Sequence, residues 1–350
     1  MEAPVPKKSN FACIIHATLY GVGGFRVKIA VIGAGFAGLG ASWHLLEKGH
    51  VVTIFDAKGI GAGASGIAAG LLHPYVGVRA KKSWRADAAM TETLKLLKIA
   101  SQFGPVASFS GILRPAIGEA QITDFQKTAA TYSDAEWWDE ARVQTIMPLL
   151  LPRAALFVRS GVAVDSGAYL TNLWQACKGA GAQLQIQQIE ALSQLNEFDH
   201  VLISVGASIQ KFCSLPGVSI VKGQVLELKK QETLPYAISA GAYVVFSKNS
   251  VFAGATFEHE FSDLNPEKEL AEKMIRPKLA VFCPKIAKWP LVDCRAAGRV
   301  STGDRMPLIH RVSERVTAIT GLGSKGLLYH AYCGKMFSER LSLQSTTGMI

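Results

Sequence analysis

Residues 27–56 read VKIAVIGAGFAGLGASWHLLEKGHVVTIFD, and this stretch decides the fold. Val27–Ile32 is a continuous apolar run rich in β-branched residues, the pattern of a strand buried on both faces. Residues 37–48 read as a helix that stops at Gly49. The run HVVTIFD is a second strand, ending in Asp56. Three glycines stand between the first strand and the helix, and each has its own reason. Gly33 permits the tight turn, Gly35 lets backbone approach a pyrophosphate at the helix N-terminus, and Gly38 lets helix and strand pack closely. Asp56 follows Gly38 by 18 residues, where a carboxylate can bind ribose hydroxyls. A glycine-rich core turn alone would not require that acid. The unit predicts a dinucleotide-binding α/β domain.

The next segment, GIGAGASGIAAGLLHPY (59–75), is rich in glycine and alanine and carries no charge. It neither alternates as a strand does nor shows the bulky stripe of a core helix. Its composition suits close backbone approach to a flat ligand. A plain connecting loop is the competing reading.

The 350 residues are 49% hydrophobic and 18% charged, enough for one large domain or two interleaved ones. The uncharged runs Ile29–Leu46 and Gly59–Val78 have the length of membrane spans, but glycines break both, so no span is predicted. Residues 1–26 read as a disordered extension or an over-long translation start, since no small-residue cleavage site precedes the first strand. Six cysteines without a C-x-x-C pair argue against a disulfide framework or a zinc site, and no metal is predicted. They fit a reducing cytoplasm. The net charge of +10 permits a polyanionic partner without requiring one. Composition carries no reading of oligomeric state.

Further along, residues 82–102 read as a helix and PVASFSGILRPA (105–116) as a strand. Residues 123–150 read as two short helices, with Trp137 and Trp138 as packing residues. A helix over Ser166–Cys177, a strand, and the apolar run FDHVLISVGA closing at Gly206 return to the first sheet. SIVKGQVLELKK, AYVVFSK and SVFAGATFE form a separate antiparallel layer. The expected organisation is a Rossmann-like domain over 27–80, 150–220 and 295–345. An α+β domain on an antiparallel sheet, over 81–149 and 221–294, interleaves with it.

Four ordered signals, VIGAGFAGLGAS…FD, GASGIAAGLLHP, GRVSTGDRMPLI and GLGSKGLL, resemble the FAD-dependent amine oxidoreductases of the D-amino-acid oxidase type, a group that includes glycine and sarcosine oxidases. The likeness covers roughly Val27 to Leu341. It is particularly similar to the oxidoreductase half of the bifunctional tRNA wobble-uridine modification enzymes; with the first strand near residue 27 no methyltransferase half is expected, and LLYHAYCG departs from that pattern. The resemblance implies FAD on Gly33, Gly35, Gly38 and Asp56. Gly63, Ser65, Gly66 and Gly70 would lie beside the isoalloxazine, with Gly206 and the loop Gly321, Gly323, Ser324, Lys325, Gly326 and Leu327 completing the site. It implies that Arg299 clamps the substrate carboxylate, a task suited to a planar, always-charged fork; Arg295 and Arg114 are the weaker candidates. No catalytic base is implied, so His73, His259 and His330 receive no catalytic role. Ala297 stands where some relatives carry a flavin-linking cysteine, which implies non-covalent FAD.

Two substrates remain open on this reading. One is a glycine-like secondary amine carried on a tRNA wobble nucleotide, with VRAKKSWR (78–85) and ELKKQ (227–231) as candidate phosphate contacts. The other is free glycine, sarcosine or a D-amino acid. A nucleotide-binding protein without redox chemistry is the alternative from another class. An NAD-dependent dehydrogenase would leave three of the four signals unexplained.

Overall fold

The structure is a computed structural model and describes residues 26–347. The extension expected over 1–26 lies, except for Arg26, outside the described residues. The first strand, β1 (Lys28–Ile32), sits inside a six-stranded sheet of order β16 (Leu308–Ser313), β17 (Val316–Thr320), β10 (His200–Ile203), β1, β2 (Val51–Asp56) and β9 (Gln183–Ile186). All neighbours are parallel except β16 on β17. Parallel strands are buried on both faces, which is why β1 and β10 read as unbroken apolar runs. The predicted return of FDHVLISVGA to the first sheet is seen in β10 pairing with β1, Ile29 opposite His200.

Helices α1 (Phe36–Glu47), α2 (Ala86–Ala100), α5 (Ser166–Gly179) and α7 (Gly326–Thr347) share one hydrophobic core with this sheet, built on Leu39, Leu45, Leu97, Leu173, Tyr329 and Phe337. Helices α1 and α7 touch through small residues. A Cβ on Gly334 would lie 2.7 Å from the Ala41 backbone. Among the described residues no helix is long and apolar enough to cross a membrane.

The second layer is an eight-stranded sheet of order β15 (Leu291–Thr302), β11 (Val218–Lys229), β14 (Ser250–Gly254), β13 (Tyr243–Phe246), β12 (Ala237–Ser239), β5 (Ile112–Pro115), β7 (Ala155–Val158) and β6 (Ala135–Trp138). It is antiparallel apart from the β12–β5 pair. Helix α6 (Lys268–Ala280) covers it through Ile275 and Leu279. Two further helices, α3 (Glu119–Thr131) and α4 (Glu140–Ile146), flank its β6–β7 edge, and a small sheet of β3 (Leu71–Leu72), β8 (Val162–Val164) and β4 (Ala107–Ser108) stands apart.

Three details differ from the sequence reading. The two helices expected over 123–150 are separated by strand β6, which pairs Trp138 with Ala155 and stacks its indole 4.4 Å from Phe157. Cross-strand aromatic contact outweighs local helical character there. The stretch 105–116 is two strands in different sheets, because Gly111, at φ +98°, turns the chain between them. The sheets also divide the chain differently from the expected boundaries. Strands β11 and β15 pair from Val218–Thr302 to Leu228–Leu291, straight across both 220/221 and 294/295.

Candidate active site

The β1–α1 turn is shaped by backbone contact. Gly33 has φ +105°, and a Cβ on it would lie 2.4 Å from the Ser204 carbonyl oxygen. A Cβ on Gly38 would lie 1.9 Å from the Gly33 carbonyl oxygen, so neither position admits a side chain. Gly35 caps α1 in extended conformation, and the Ser65 hydroxyl accepts the Phe36 N–H at 3.0 Å. That bond brings the segment 59–75 against the helix N-terminus. The Asp56 carboxylate accepts the backbone N–H groups of Ala34 (2.8 Å), Lys58 (2.9 Å) and Gly59 (2.8 Å). It therefore ties the glycine turn to the next loop, a duty the motif spacing does not reveal. Ser204, unmarked in the sequence reading, donates to the Ile32 carbonyl at 2.8 Å and holds the end of β10 beside the turn.

These loops open on a cavity of about 570 Å³, a size typical of ligand sites. Of the candidate residues, Gly35, Ser65, Gly70, Gly206, Arg299 and the run Gly321–Leu327 border it. Gly33, Gly38, Asp56, Gly63 and Gly66 do not. Gly66 is held by its neighbour, since a Cβ would meet the Gly61 carbonyl oxygen at 2.1 Å. Part of the glycine content of 59–75 therefore serves the chain's own packing, while Ala64, Ser65 and Ile67–Leu71 present a small-residue wall to the cavity. The N-terminus of α7 also borders the cavity, and a helix presents there N–H groups without intrahelical acceptors.

Arg299 projects from β15 and lies flat on the Gly223 backbone, where a Cβ would stand 2.5 Å from Nη2. Its Nη2 donates to the Thr256 carbonyl at 2.7 Å, while the buried Nε has no partner. No carboxylate among the described residues forms an ion pair with it. Burial pulls its pKa down, against the pull of Tyr243 and Glu258. Tyr243, on β13, lines the same cavity, and burial pushes its hydroxyl pKa up. The sequence reading missed it because it becomes a neighbour of Arg299 only through sheet pairing. The weaker arginine candidates are engaged elsewhere. Arg295 pairs with Glu227 at 2.5 Å. Arg114 donates to the carbonyls of Tyr75 and, at 2.5 Å, Gly77.

Two of the three histidines, His330 and His73, are held neutral by burial. His330 sits between the Tyr169 hydroxyl (2.7 Å) and the Leu327 carbonyl (2.9 Å), and burial pulls its pKa down to about 4. His73 borders the cavity with Nδ1 unpartnered, and burial, together with the Arg114 charge, pulls its pKa down to about 3. An unfolded imidazole titrates near 6.5. Below that pH the unfolded chain binds a proton that folded His73 refuses, so stability falls with acidity from pH 6.5 down to about 3. The urea midpoint is expected to drop between pH 7 and pH 5, and to drop less in His73→Gln. Equal acid sensitivity of the two proteins would count against this.

Lys325 donates to the Arg305 carbonyl at 2.7 Å instead of extending into solvent. The basic run 78–85 is partly neutralised, with Arg79 on Asp124 (2.9 Å) and Lys82 on Asp87 (2.7 Å). In the run 227–231, Lys230 is taken by the carbonyls of Ser247 and Lys248. Among the described residues no cluster of His, Cys, Asp or Glu could hold a metal ion.

A turn closed to side chains at Gly33 and Gly38, an open helix N-terminus at Gly35 and an uncharged wall of mostly small residues fit an extended dinucleotide with an apolar ring system. The model of the FAD-dependent oxidoreductase family known as DAO matches residues 28–340. The chain belongs to this family. It is an FAD-dependent oxidoreductase, which sets aside the reading without redox chemistry. Among curated relatives it is 28% identical to the tRNA 5-methylaminomethyl-2-thiouridine biosynthesis bifunctional protein of Maricaulis maris, over 86% of this chain and 49% of that one. It is 25% identical to the putative thiamine biosynthesis oxidoreductase of Rhizobium etli, over 91% of this chain and 98% of that one. The chain thus spans about half the length of its bifunctional relative. Glycine oxidase from Geobacillus kaustophilus has the same fold, with a TM-score of 0.78 at 20% identity, covering 90% of this chain and 95% of that one.

Proposed function

We propose that this oxidoreductase oxidises the C–N bond of an N-carboxymethyl amine, a glycine unit, and that a tRNA wobble uridine carries that unit. The observation that carries the first part is Arg299, a cavity-lining guanidinium without a carboxylate partner. A glycine unit supplies the missing anion, and a planar fork fixes its orientation. The Tyr243 hydroxyl, kept protonated by burial, donates to the same carboxylate. Gly35, the α1 N-terminus and Ser65 would hold the pyrophosphate of FAD, with Gly33 and Gly38 shaping the turn and Asp56 facing the ribose. Gly70, Gly206 and the run Gly321–Leu327 would surround the ring system. Bound FAD would supply the acceptor for a hydride, one proton with two electrons, from the substrate α-carbon. The α7 N-terminus, with Lys325 beside it, offers positive potential for the charge that arises during this transfer. Neutral His73 adds no positive charge beside the amine, which must be uncharged for its lone pair to drive hydride loss. Among the described residues no cysteine borders the cavity, in keeping with non-covalent FAD.

The tRNA part is supported by the likeness to the bifunctional tRNA protein and by the net charge of +10. A tRNA substrate, with five unpaired cysteines among the described residues, agrees with work in the cytoplasm. The test is anaerobic. The holoenzyme is mixed with tRNA bearing the carboxymethylaminomethyl group and, separately, with glycine and sarcosine, while the flavin absorption is followed. Bleaching by the tRNA is expected. Bleaching by the free amino acids alone would make this a small-molecule amine oxidase and overturn the tRNA reading.

A further inference from the structure

We infer that the mouth of the cavity is a nucleotide-recognition site, in which Phe257 is a stacking platform for a pyrimidine ring and the adjoining cleft of Arg305, Lys325 and Ser301 takes a neighbouring phosphate. The inference rests on the proposed glycine-unit chemistry at Arg299 and names what carries that unit. Phe257 follows β14 and is 52% exposed, an uncommon state for a phenyl ring beside a ligand cavity. It lines the main cavity and also a second one, of about 260 Å³, that adjoins it. One side of the ring meets Arg299, whose guanidinium carbon lies 5.5 Å from the ring centroid. His259 meets it edge-on at 5.1 Å. The ring is therefore held in orientation by two neighbours while half its surface stays open. Nucleic-acid-binding proteins use such aromatic rings to stack unpaired bases.

The second cavity gathers three cations, Arg299, Arg305 and Lys325, with the hydroxyls of Ser301 and Ser324. The carboxylates nearby are Asp304, which accepts the Met306 N–H at 2.9 Å, and Glu258, whose charge acts on Arg299, and neither forms an ion pair with the three cations. Arg305, at φ +60°, turns its carbonyl onto Lys325 Nζ, so the two cations are tied together. A net positive cleft next to an exposed aromatic suits a base with its phosphate. A free amino acid calls for neither.

The spacing agrees with the chemistry. Four bonds separate a pyrimidine C5 from the carboxylate carbon of a carboxymethylaminomethyl arm, roughly 5 Å when extended. Phe257 and Arg299 are 5.5 Å apart, so a base beside that ring lies within reach of the guanidinium through such an arm. The adenine of FAD is not a rival occupant of the second cavity, because none of Gly33, Gly35, Gly38 and Asp56, which would hold the nucleotide half, lines it.

The test uses the flavin-loaded enzyme and an RNA without the oxidisable arm, so binding is read apart from turnover. An unmodified anticodon stem-loop is titrated by calorimetry, with uridine and UMP as small probes. Phe257→Ala is expected to bind the stem-loop about tenfold more weakly, and Phe257→Tyr to bind as the parent does. UMP is expected to bind more tightly than uridine, and Arg305→Ala to reduce the slope of log affinity against log salt by about one. Parent-like binding by a yellow Phe257→Ala, equal losses in the Ala and Tyr variants, or no preference for UMP would each overturn the inference. Failure of the modified tRNA to bleach the flavin would instead count against the chemistry proposed at Arg299, and leaves these binding results standing.

Discussion

Arg299→Ala is expected to stay yellow and to lose reduction by substrate roughly 30- to 5,000-fold, the effect of removing about 2–5 kcal/mol from a desolvated charge pair. Flavin retention follows from geometry. The guanidinium is anchored within the eight-stranded sheet, on Gly223 and the Thr256 carbonyl, and makes no contact with the glycine turn of the six-stranded sheet. The folded chain should also tolerate the loss, because the side chain releases one carbonyl at the edge of a cavity that water can enter. Arg299→Lys restores the charge but not the fork, so it should recover only part of the rate. The split between constants is informative. A clamp that merely binds raises KM, whereas one that aims the α-carbon lowers kcat as well. Stopped-flow reduction under anaerobic conditions, run with each variant against the parent, reads both. Normal reduction of a yellow Arg299→Ala would remove the carboxylate clamp from this site and leave Tyr243 without its proposed partner.

The legible parts of this chain are those whose cause is local. Strand β1, the α1 helix and strand β2 read directly from residues 27–56, because a parallel strand buried on both faces leaves an unbroken apolar run and the turn leaves its glycines. The family was legible for the same reason, since its signals are short and ordered. What escaped depends on partners distant in sequence. Strand β6 exists because Trp138 finds Phe157 and Ala155 across a ladder. Tyr243 and Arg299 reach one cavity from β13 and β15, and Phe257 from the chain after β14. The role of Asp56 was visible only in half. Spacing identifies the acid, but its hold on the N–H groups of Ala34, Lys58 and Gly59 is tertiary. Charge runs are legible only in part. The lysines and arginines of 78–85 look free in sequence, yet Asp124 and Asp87 neutralise two of them. The cations that do border a cavity, Arg299, Arg305 and Lys325, lie outside those runs.

Gly70→Ala is expected to cost more stability than any other single methyl in the segment 59–75. Gly70 has φ +73°, which costs a residue with a Cβ about 1–2 kcal/mol by itself. The added carbon would also stand 1.7 Å from the Val164 carbonyl oxygen, a backbone atom that no rotamer change can move away. Relief requires separating Gly70 from Val164, whose N–H donates to the Gly70 carbonyl at 2.7 Å. That would open the end of the small sheet where Leu71 pairs with Ala163. The sum places the variant more than about 3 kcal/mol below the parent, in the range reserved for strained or overpacked positions. Because Gly70 also borders the cavity, flavin should be lost at denaturant concentrations where the parent still holds it. Gly63→Ala is the internal control. Its φ is not positive and a Cβ there meets nothing within 4 Å, so it should be neutral or raise stability by up to about 1 kcal/mol through the unfolded state. Urea titration followed by circular dichroism and flavin fluorescence separates the two. If both variants unfolded together with the parent, the contact between Gly70 and Val164 would not be what fixes this segment. The composition of 59–75 would then have to be explained by the bound ring alone.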